Sequence, residues 1–131
     1  MKLITICGNI GCGKTTLMKS LNEDYICYAE PINKWSPWLD LFYNDQKKNA
    51  LGLQIKILKE YAELIKDAKE YTELFEKYVV IFERSSLDNL KVFSKNLLES
   101  GILSEHEYKL VDEVHTILNI PKPDLCIYVQ T

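Results

Sequence analysis

Four short apolar runs are spaced along the 131-residue chain, and they predict the strands of a sheet. The first run, KLITIC at 2–7, is almost continuously apolar, which is typical of a strand buried on both faces. The later runs are YICYA at 25–29, YVVIF at 78–82 and LCIYV at 125–129, the last introduced by the turn-prone PKPD. Long amphipathic stretches separate the runs, so the strands are expected to pair in parallel through helical crossovers.

Helices are predicted in the intervals between these strands. They cover residues 14–21, 51–77, 85–99 and 104 to about 118. Gly101 closes the third helix, and SEHE at 104–107 is a capping box that opens the last one. Strands that alternate with helices predict one α/β domain over residues 1–131, a three-layer fold with a parallel sheet of about four strands and helices on both faces.

Composition and charge exclude several functional classes. The net charge is −3 and the pI about 5.4, so the chain lacks the basic footprint of a nucleic-acid-binding protein. Its four cysteines form no CxxC pair, and His106 and His115 are nine residues apart, which favours reduced intracellular thiols over a zinc site. The first apolar run is too short for a signal or a membrane span, so a cytoplasmic protein without a membrane partner is expected.

A glycine-rich turn, GNIGCGKT, follows the first predicted strand and opens the first predicted helix. It matches GxxxxGK[ST] without a mismatch, in the strand–loop–helix context that this motif requires. Its N–H groups would bind the phosphates of ATP at the positive end of the helix, with Lys14 at the β- and γ-phosphates and the Thr15 hydroxyl on Mg²⁺. The candidate nucleotide-binding residues are Gly8, Asn9, Ile10, Gly11, Cys12, Gly13, Lys14, Thr15 and Thr16.

Acidic residues end two further predicted strands. Pro31 keeps Glu30 extended at the end of the second strand, where a carboxylate can accept the proton of an attacking hydroxyl. The third strand ends in Glu83, the type of acid that holds a metal opposite a phosphate loop, and in Arg84, the only arginine of the chain. These side chains are expected at the carboxyl edge of the sheet, beside the phosphate loop. The alternatives are a solvated strand end for Glu30 and a surface ion pair for Arg84.

Four motifs in chain order resemble the deoxynucleoside kinase family: GNIGCGKTT, EPINKW, LDLFYNDQKKNALGLQ and ERSSLDNLKVF. That family comprises thymidine, deoxycytidine and deoxyguanosine kinases of the non-thymidylate type, and the match covers essentially the whole chain. The resemblance implies the P-loop nucleoside kinase fold, transfer of phosphate from Mg-ATP to the 5′-hydroxyl of a deoxynucleoside in nucleotide salvage, and a homodimer. It also implies that the family's arginine-rich lid and fifth strand are absent after Thr131, which predicts slow turnover.

The resemblance gives roles to individual residues. Glu30 matches the general base that takes the proton of the 5′-hydroxyl, and Arg84 matches the arginine that holds Glu30 and the reacting phosphate. Lys14 completes the expected catalytic set, and Glu83 joins Thr15 on the metal. The matched substrate positions are Trp35 near the base, Tyr43 at the sugar 3′-hydroxyl, Gln54 at the base edge and Phe93 as a stacking aromatic. Residues taken alone would make Tyr43, Gln54 and Phe93 ordinary helix positions.

Base preference rests on a missing charged pair. Asn89 stands where members that accept cytidine or purines carry an aspartate, and Tyr61 stands where the arginine partner of that aspartate would lie. The resemblance therefore indicates a pyrimidine, thymidine ahead of deoxycytidine. Two alternatives remain: a nucleoside monophosphate kinase, which would need further cations for its acceptor, and a weakly active or non-catalytic nucleotide-binding remnant.

Overall fold

The computed structural model describes residues 1–7, 14–21, 25–75, 79–84, 86 and 89–129, with backbone only at 14, 15, 75 and 89. The predictions for Gly8–Gly13, and those for the side chains of Lys14, Thr15 and Asn89, lie outside this description. The chain divides into two compact units. The sheet unit comprises residues 1–30, 64–85 and 121–131, and the helical unit comprises residues 31–63 and 86–120.

The sheet unit contains the four predicted strands, and every pair of neighbours is parallel. The strands are β1 (Lys2–Cys7), β2 (Ile26–Tyr28), β3 (Val79–Glu83) and β4 (Leu125–Tyr128), arranged in the order β2-β3-β1-β4. The α/β class and the parallel four-stranded sheet are therefore confirmed. Strand β1 has buried side chains on both faces, Leu3 and Thr5 on one and Ile6 on the other, and this explains its nearly unbroken apolar sequence.

One face of this sheet packs against α1 (Lys14–Leu21), whose bounds are those predicted. Ile6 of β1, Ile81 of β3 and Met18 of α1 form the buried centre of this layer. Burying side chains of this size stabilises a fold by about 1.5–3 kcal/mol each. The packing fixes α1 against the strand that precedes it, so the connection between them, which carries the glycine-rich motif, begins and ends at rigid elements.

The helical unit contains one helix that was not predicted and one that begins earlier than predicted. Its helix α2 (Ile32–Asn44) has no counterpart among the predicted elements, and α3 (Gln46–Phe75) starts five residues before position 51 and continues into the sheet unit. Asp45 separates the two helices, and its carboxylate accepts a hydrogen bond from the Lys48 N–H at 3.3 Å. The two helices pack closely at Gly52, where a Cβ would lie 2.9 Å from the Trp38 ring.

From Asn89 onward, the predicted helix at 85–99 is not a regular α-helix. This part begins with the π-helical turn Asn89–Ser94 and continues as the short α-helix Lys95–Glu99; together these form α4. Gly101 follows with a φ of +78°, a left-handed conformation suited to the predicted helix end. The last helix, α5 (Glu105–Leu118), has the predicted capping box, because the Ser104 hydroxyl accepts from the Glu107 N–H while the Glu107 carboxylate accepts from the Ser104 N–H.

Candidate active site

The carboxyl edge of the sheet brings Glu30 and Arg84 together. The sequence predicted that Glu30 would end the second strand. In the structure β2 ends at Tyr28, and Glu30 lies two residues beyond it. The Arg84 Nε atom is 3.7 Å from a carboxylate oxygen of Glu30, and the two side chains are 39% and 19% exposed. The guanidinium attracts the nearby carboxylate electrostatically, and both groups remain partly accessible to a ligand.

Arg84 has an unusual backbone conformation at this edge. Its φ of 61° lies in the left-handed region, which is costly for a residue with a Cβ. Its N–H donates to the Ile6 carbonyl at 2.9 Å, one residue beyond the Ile6–Glu83 pair that ends the β1–β3 ladder. The sheet therefore holds the first residue after β3 in a strained turn. Strain of this kind is concentrated at functional positions in proteins.

Glu83 is the last residue of β3 and is half-buried. Because it is the register partner of Ile6, it lies on the same face of the sheet as the core residue that packs under α1. A carboxylate here and a threonine hydroxyl at the start of α1 are both oxygen ligands of the kind that Mg²⁺ takes. Among the described residues, no three His, Cys, Asp or Glu side chains are grouped as a metal site.

In the helical unit, Gln54 is a wholly buried residue of α3 rather than an ordinary helix-surface position. Its amide oxygen accepts a hydrogen bond from the hydroxyl of Ser94, the last residue of the π-helical turn, which is also wholly buried. This bond fixes which end of the amide is the acceptor. Trp35 is 4% exposed and its ring lies 5.9 Å from that of Tyr61, so both aromatics belong to the core of this unit.

Two other predicted substrate positions, Tyr43 and Phe93, lie at the surface of the helical unit. Both contact the buried ring of Phe42: Tyr43 at a centroid distance of 5.6 Å, and Phe93 edge-to-face at 6.4 Å. Tyr43 is 69% exposed and Phe93 is 37% exposed, so each presents part of its ring to solvent. Phe42 thus supports two exposed aromatic side chains.

A family model for deoxynucleoside kinases matches residues 4–131. The chain belongs to the deoxynucleoside kinase family. A protein of Invertebrate iridescent virus 3 named as a candidate kinase, 029R, is 35% identical over 108 residues, covering 82% of this chain and 53% of its own. A deoxyguanosine kinase of Dictyostelium discoideum is 30% identical over 132 residues, covering 98% and 45%, and a deoxyadenosine/deoxycytidine kinase of Bacillus subtilis is 29% identical over 134 residues, covering 98% and 59%. The chain spans about half the length of these curated relatives.

Membership in the deoxynucleoside kinase family agrees with the resemblance found in the sequence. Two contacts among the candidate site residues could not be predicted from the sequence. The hydrogen bond from Ser94 to Gln54 joins residues 40 positions apart, and no spacing rule connects them. The contact between the rings of Phe42 and Phe93 likewise joins residues far apart in sequence, and no spacing rule connects them. Thr16, the last predicted nucleotide-binding residue, is exposed on the first turn of α1. None of the described helices is both long and apolar enough to cross a membrane.

This deoxynucleoside kinase-like chain also contains a buried serine–histidine contact within the helical unit. The Ser86 hydroxyl and the Nε2 atom of His115 on α5 are 2.9 Å apart. Burial lowers the pKa of His115, against a smaller opposite influence of the Asp112 carboxylate. The imidazole of His115 therefore takes up a proton at a higher pH in the unfolded chain than in the folded one. As a result, this histidine costs no stability well above its pKa in the unfolded chain, about 6.5, and the free energy of unfolding falls as the pH drops through that pKa.

We expect the His115→Asn variant to lose this part of the pH dependence. When the pH is lowered from about 7.5 to about 5.5, the urea concentration at the midpoint of unfolding should fall further for the parent than for His115→Asn. The exposed His106 of the same helix supplies the matched control, because His106→Asn removes a histidine outside the contact. Equal acid sensitivity in the parent and in His115→Asn would contradict the expectation.

Proposed function

We propose that this chain transfers the γ-phosphoryl group of Mg-ATP to the 5′-hydroxyl of a deoxynucleoside, with a pyrimidine, thymidine first, as the preferred base. The observation that carries the proposal is the Glu30–Arg84 pair at the carboxyl edge of the sheet. Strand β1 ends at this same edge and is followed by the GxxxxGK[ST] motif. A carboxylate, a guanidinium and a phosphate-loop motif at one edge are the parts that phosphoryl transfer to a hydroxyl requires.

In the proposed mechanism, the Glu30 carboxylate accepts the proton of the 5′-hydroxyl as this oxygen attacks phosphorus. Arg84 holds that carboxylate and offers its remaining N–H groups to the phosphoryl oxygens, whose charge grows in the transition state. Residues 8–15 would bind the triphosphate, with Lys14 as the cation, and Thr15 and Glu83 would hold Mg²⁺. ATP supplies the phosphoryl group, and Mg²⁺ offsets its charge.

The nucleoside is assigned to residues of the helical unit. Gln54 offers a donor and an acceptor to a base edge, and its hydrogen bond from Ser94 supports a fixed orientation of the amide. We assign the exposed ring of Tyr43 to the sugar, and the partly exposed ring of Phe93 and the buried ring of Trp35 to the base. Asn89, in place of an aspartate, favours a pyrimidine over a purine. A cytoplasmic homodimer, without nucleic acid or membrane partners, completes the proposal.

Replacing Gln54 with alanine should weaken deoxynucleoside binding by about 1–3 kcal/mol, because polar groups of the bound base lose their partner. Mg-ATP binding should be unchanged. Isothermal titration with thymidine, and separately with Mg-ATP, measures both effects. Gln46→Ala is the matched control, since Gln46 is an exposed glutamine at the start of the same helix. If Gln54→Ala binds thymidine as tightly as the parent and Gln46→Ala do, Gln54 does not contact the base.

A panel of acceptors tests the function itself. With radiolabelled ATP, thymidine should be phosphorylated faster than deoxycytidine, deoxyguanosine or thymidine monophosphate, and the Lys14→Ala variant should lose the activity. Preference for thymidine monophosphate would establish the nucleoside monophosphate kinase alternative. Mg-ATP binding without turnover of any acceptor would establish the non-catalytic alternative, and either outcome would overturn the proposed function.

A further inference from the structure

Two cysteine thiols lie against each other on neighbouring strands of the sheet unit. The sulfur atoms of Cys7 on β1 and Cys126 on β4 are 3.2 Å apart. This separation is longer than the S–S bond, about 2.0 Å, and shorter than a typical contact between non-bonded carbons, about 3.5–4.0 Å. Neither cysteine is in a disulfide. A movement of about 1.2 Å would bring the two sulfurs to bonding distance.

The strand register explains why these thiols meet. Thr5 pairs with Cys126 and Cys7 pairs with Tyr128, so the two cysteines are diagonal neighbours on one face of the sheet. This face is opposite to the one on which Ile6 packs under α1. Strand β4 lies at an edge of the described sheet, and its side chains are exposed. Because β4 has one neighbour in this part of the sheet, a small displacement along β1, which would bring the two cysteines closer, alters the pairing with that strand alone.

We propose that Cys7 and Cys126 are a modification site at which a hydroperoxide forms a reversible disulfide. Cys126 is the exposed member and reacts first: its thiolate attacks the peroxide oxygen, giving a sulfenic acid and releasing water. The half-buried Cys7 thiolate then attacks the Cys126 sulfur, which forms the S–S bond and releases the second oxygen as water. In total, two thiols lose two protons and two electrons, and one hydrogen peroxide becomes two water molecules.

A third described cysteine, Cys27 on β2, provides an internal comparison. It is partly buried and packs against the core cluster under α1, the opposite face from the thiol pair. Burial raises the pKa of its thiol, which lowers the fraction of reactive thiolate. The disulfide would instead tie β4 to Cys7, the residue immediately before the phosphate-loop motif. Oxidation would therefore act on the strand end from which that motif begins.

Peptide mapping of the oxidised 131-residue protein tests the proposal, because trypsin places Cys7, Cys27 and Cys126 in three different peptides. Cys7 and Cys12 lie in peptide 3–14, Cys27 in 20–34 and Cys126 in 110–131. The Cys12→Ser variant keeps the proposed pair, and Cys7→Ser is its matched partner, which keeps Cys12 instead. Each protein is treated with dilute hydrogen peroxide, alkylated and digested without reduction.

In Cys12→Ser we expect a loss of about 2 Da, a cross-link between peptides 3–14 and 110–131 within the monomer, and reversal by dithiothreitol. The cross-linked peptide should be at least about fivefold less abundant in Cys7→Ser than in Cys12→Ser. Three results would each overturn the proposal: no cross-link in Cys12→Ser, an equal yield in Cys7→Ser, or a cross-link that involves peptide 20–34. Because Cys12→Ser keeps both proposed thiols, it decides the question even if Cys7→Ser fails to fold.

Discussion

Replacing Arg84 with glycine should lower the rate of phosphoryl transfer by about 10³–10⁵-fold without lowering the stability of the fold. The rate is expected to fall because the variant lacks the guanidinium that, in the proposed mechanism, binds the phosphoryl oxygens and pairs with Glu30. Stability is kept because glycine adopts the φ of 61° without the cost, about 1–2 kcal/mol, that a Cβ imposes there. The partly exposed ion pair to Glu30 adds only about 0–1 kcal/mol. Single-turnover kinetics with thymidine and urea unfolding measure the two quantities.

Asn119 supplies the matched control for Arg84→Gly. It is the other non-glycine residue with a positive φ in the described chain, 52°, and it ends α5 in the helical unit. Asn119→Gly relieves the same type of strain, so its unfolding free energy should change in the same direction while its rate stays that of the parent. A rate for Arg84→Gly within about tenfold of the parent would remove Arg84 from the transition state.

The Glu30→Gln variant should transfer the phosphoryl group about 10²–10⁴-fold more slowly than the parent. The amide has nearly the shape of the carboxylate, but it cannot accept the proton of the 5′-hydroxyl. Affinity for Mg-ATP should change little, because the proposed role of Glu30 concerns the acceptor. Single-turnover rates with saturating thymidine, together with titration of Mg-ATP, separate the chemical step from donor binding.

Glu63 offers a comparison for this second variant. It is an exposed glutamate on α3 whose only described ion pair joins it to Lys59 one turn away, and such surface pairs contribute little. Glu63→Gln removes the same charge by the same isosteric change, so it should leave the rate unaltered. If Glu30→Gln and the parent reacted within a factor of about two of each other, the general base would be a different residue.

Strands β1 and β3 were predictable because side chains buried on both faces of a strand give a continuous apolar run in the sequence. The bounds of β1 and α1 are those predicted, and the capping box at Ser104 is present, since each depends on residues adjacent in sequence. Helix α2 was not predicted, and it contains Pro37, a residue type that usually interrupts a helix. Pro37 is the sixth residue of this helix and removes one intrahelical hydrogen bond, but the buried Trp35 and Phe42 are spaced as a helical face requires, and their packing stabilises the helix.

The candidate site was only partly predictable for a related reason. That Glu30 and Arg84 would meet followed from the rule that parallel strands share a carboxyl edge, and the ion pair is present. The left-handed backbone of Arg84 had no such signal, because it is imposed by the hydrogen bond to Ile6 across the sheet. The π-helical turn at Asn89–Ser94 was also invisible in the sequence, although it places Ser94 against Gln54.

The position of β1 between β3 and β4 has a consequence for how the polypeptide is made. The ribosome synthesises β1 first, yet Ile4 pairs with Ile81 and Leu125, partners that emerge much later. Closing such long loops carries an entropic cost before any pairing repays it, so folding of this sheet should be slow compared with that of a helical bundle. The apolar strand β1 therefore stays unpaired in the nascent chain until β3 and β4 are translated. A chaperone that binds residues 2–7 during synthesis would prevent this exposed strand from aggregating.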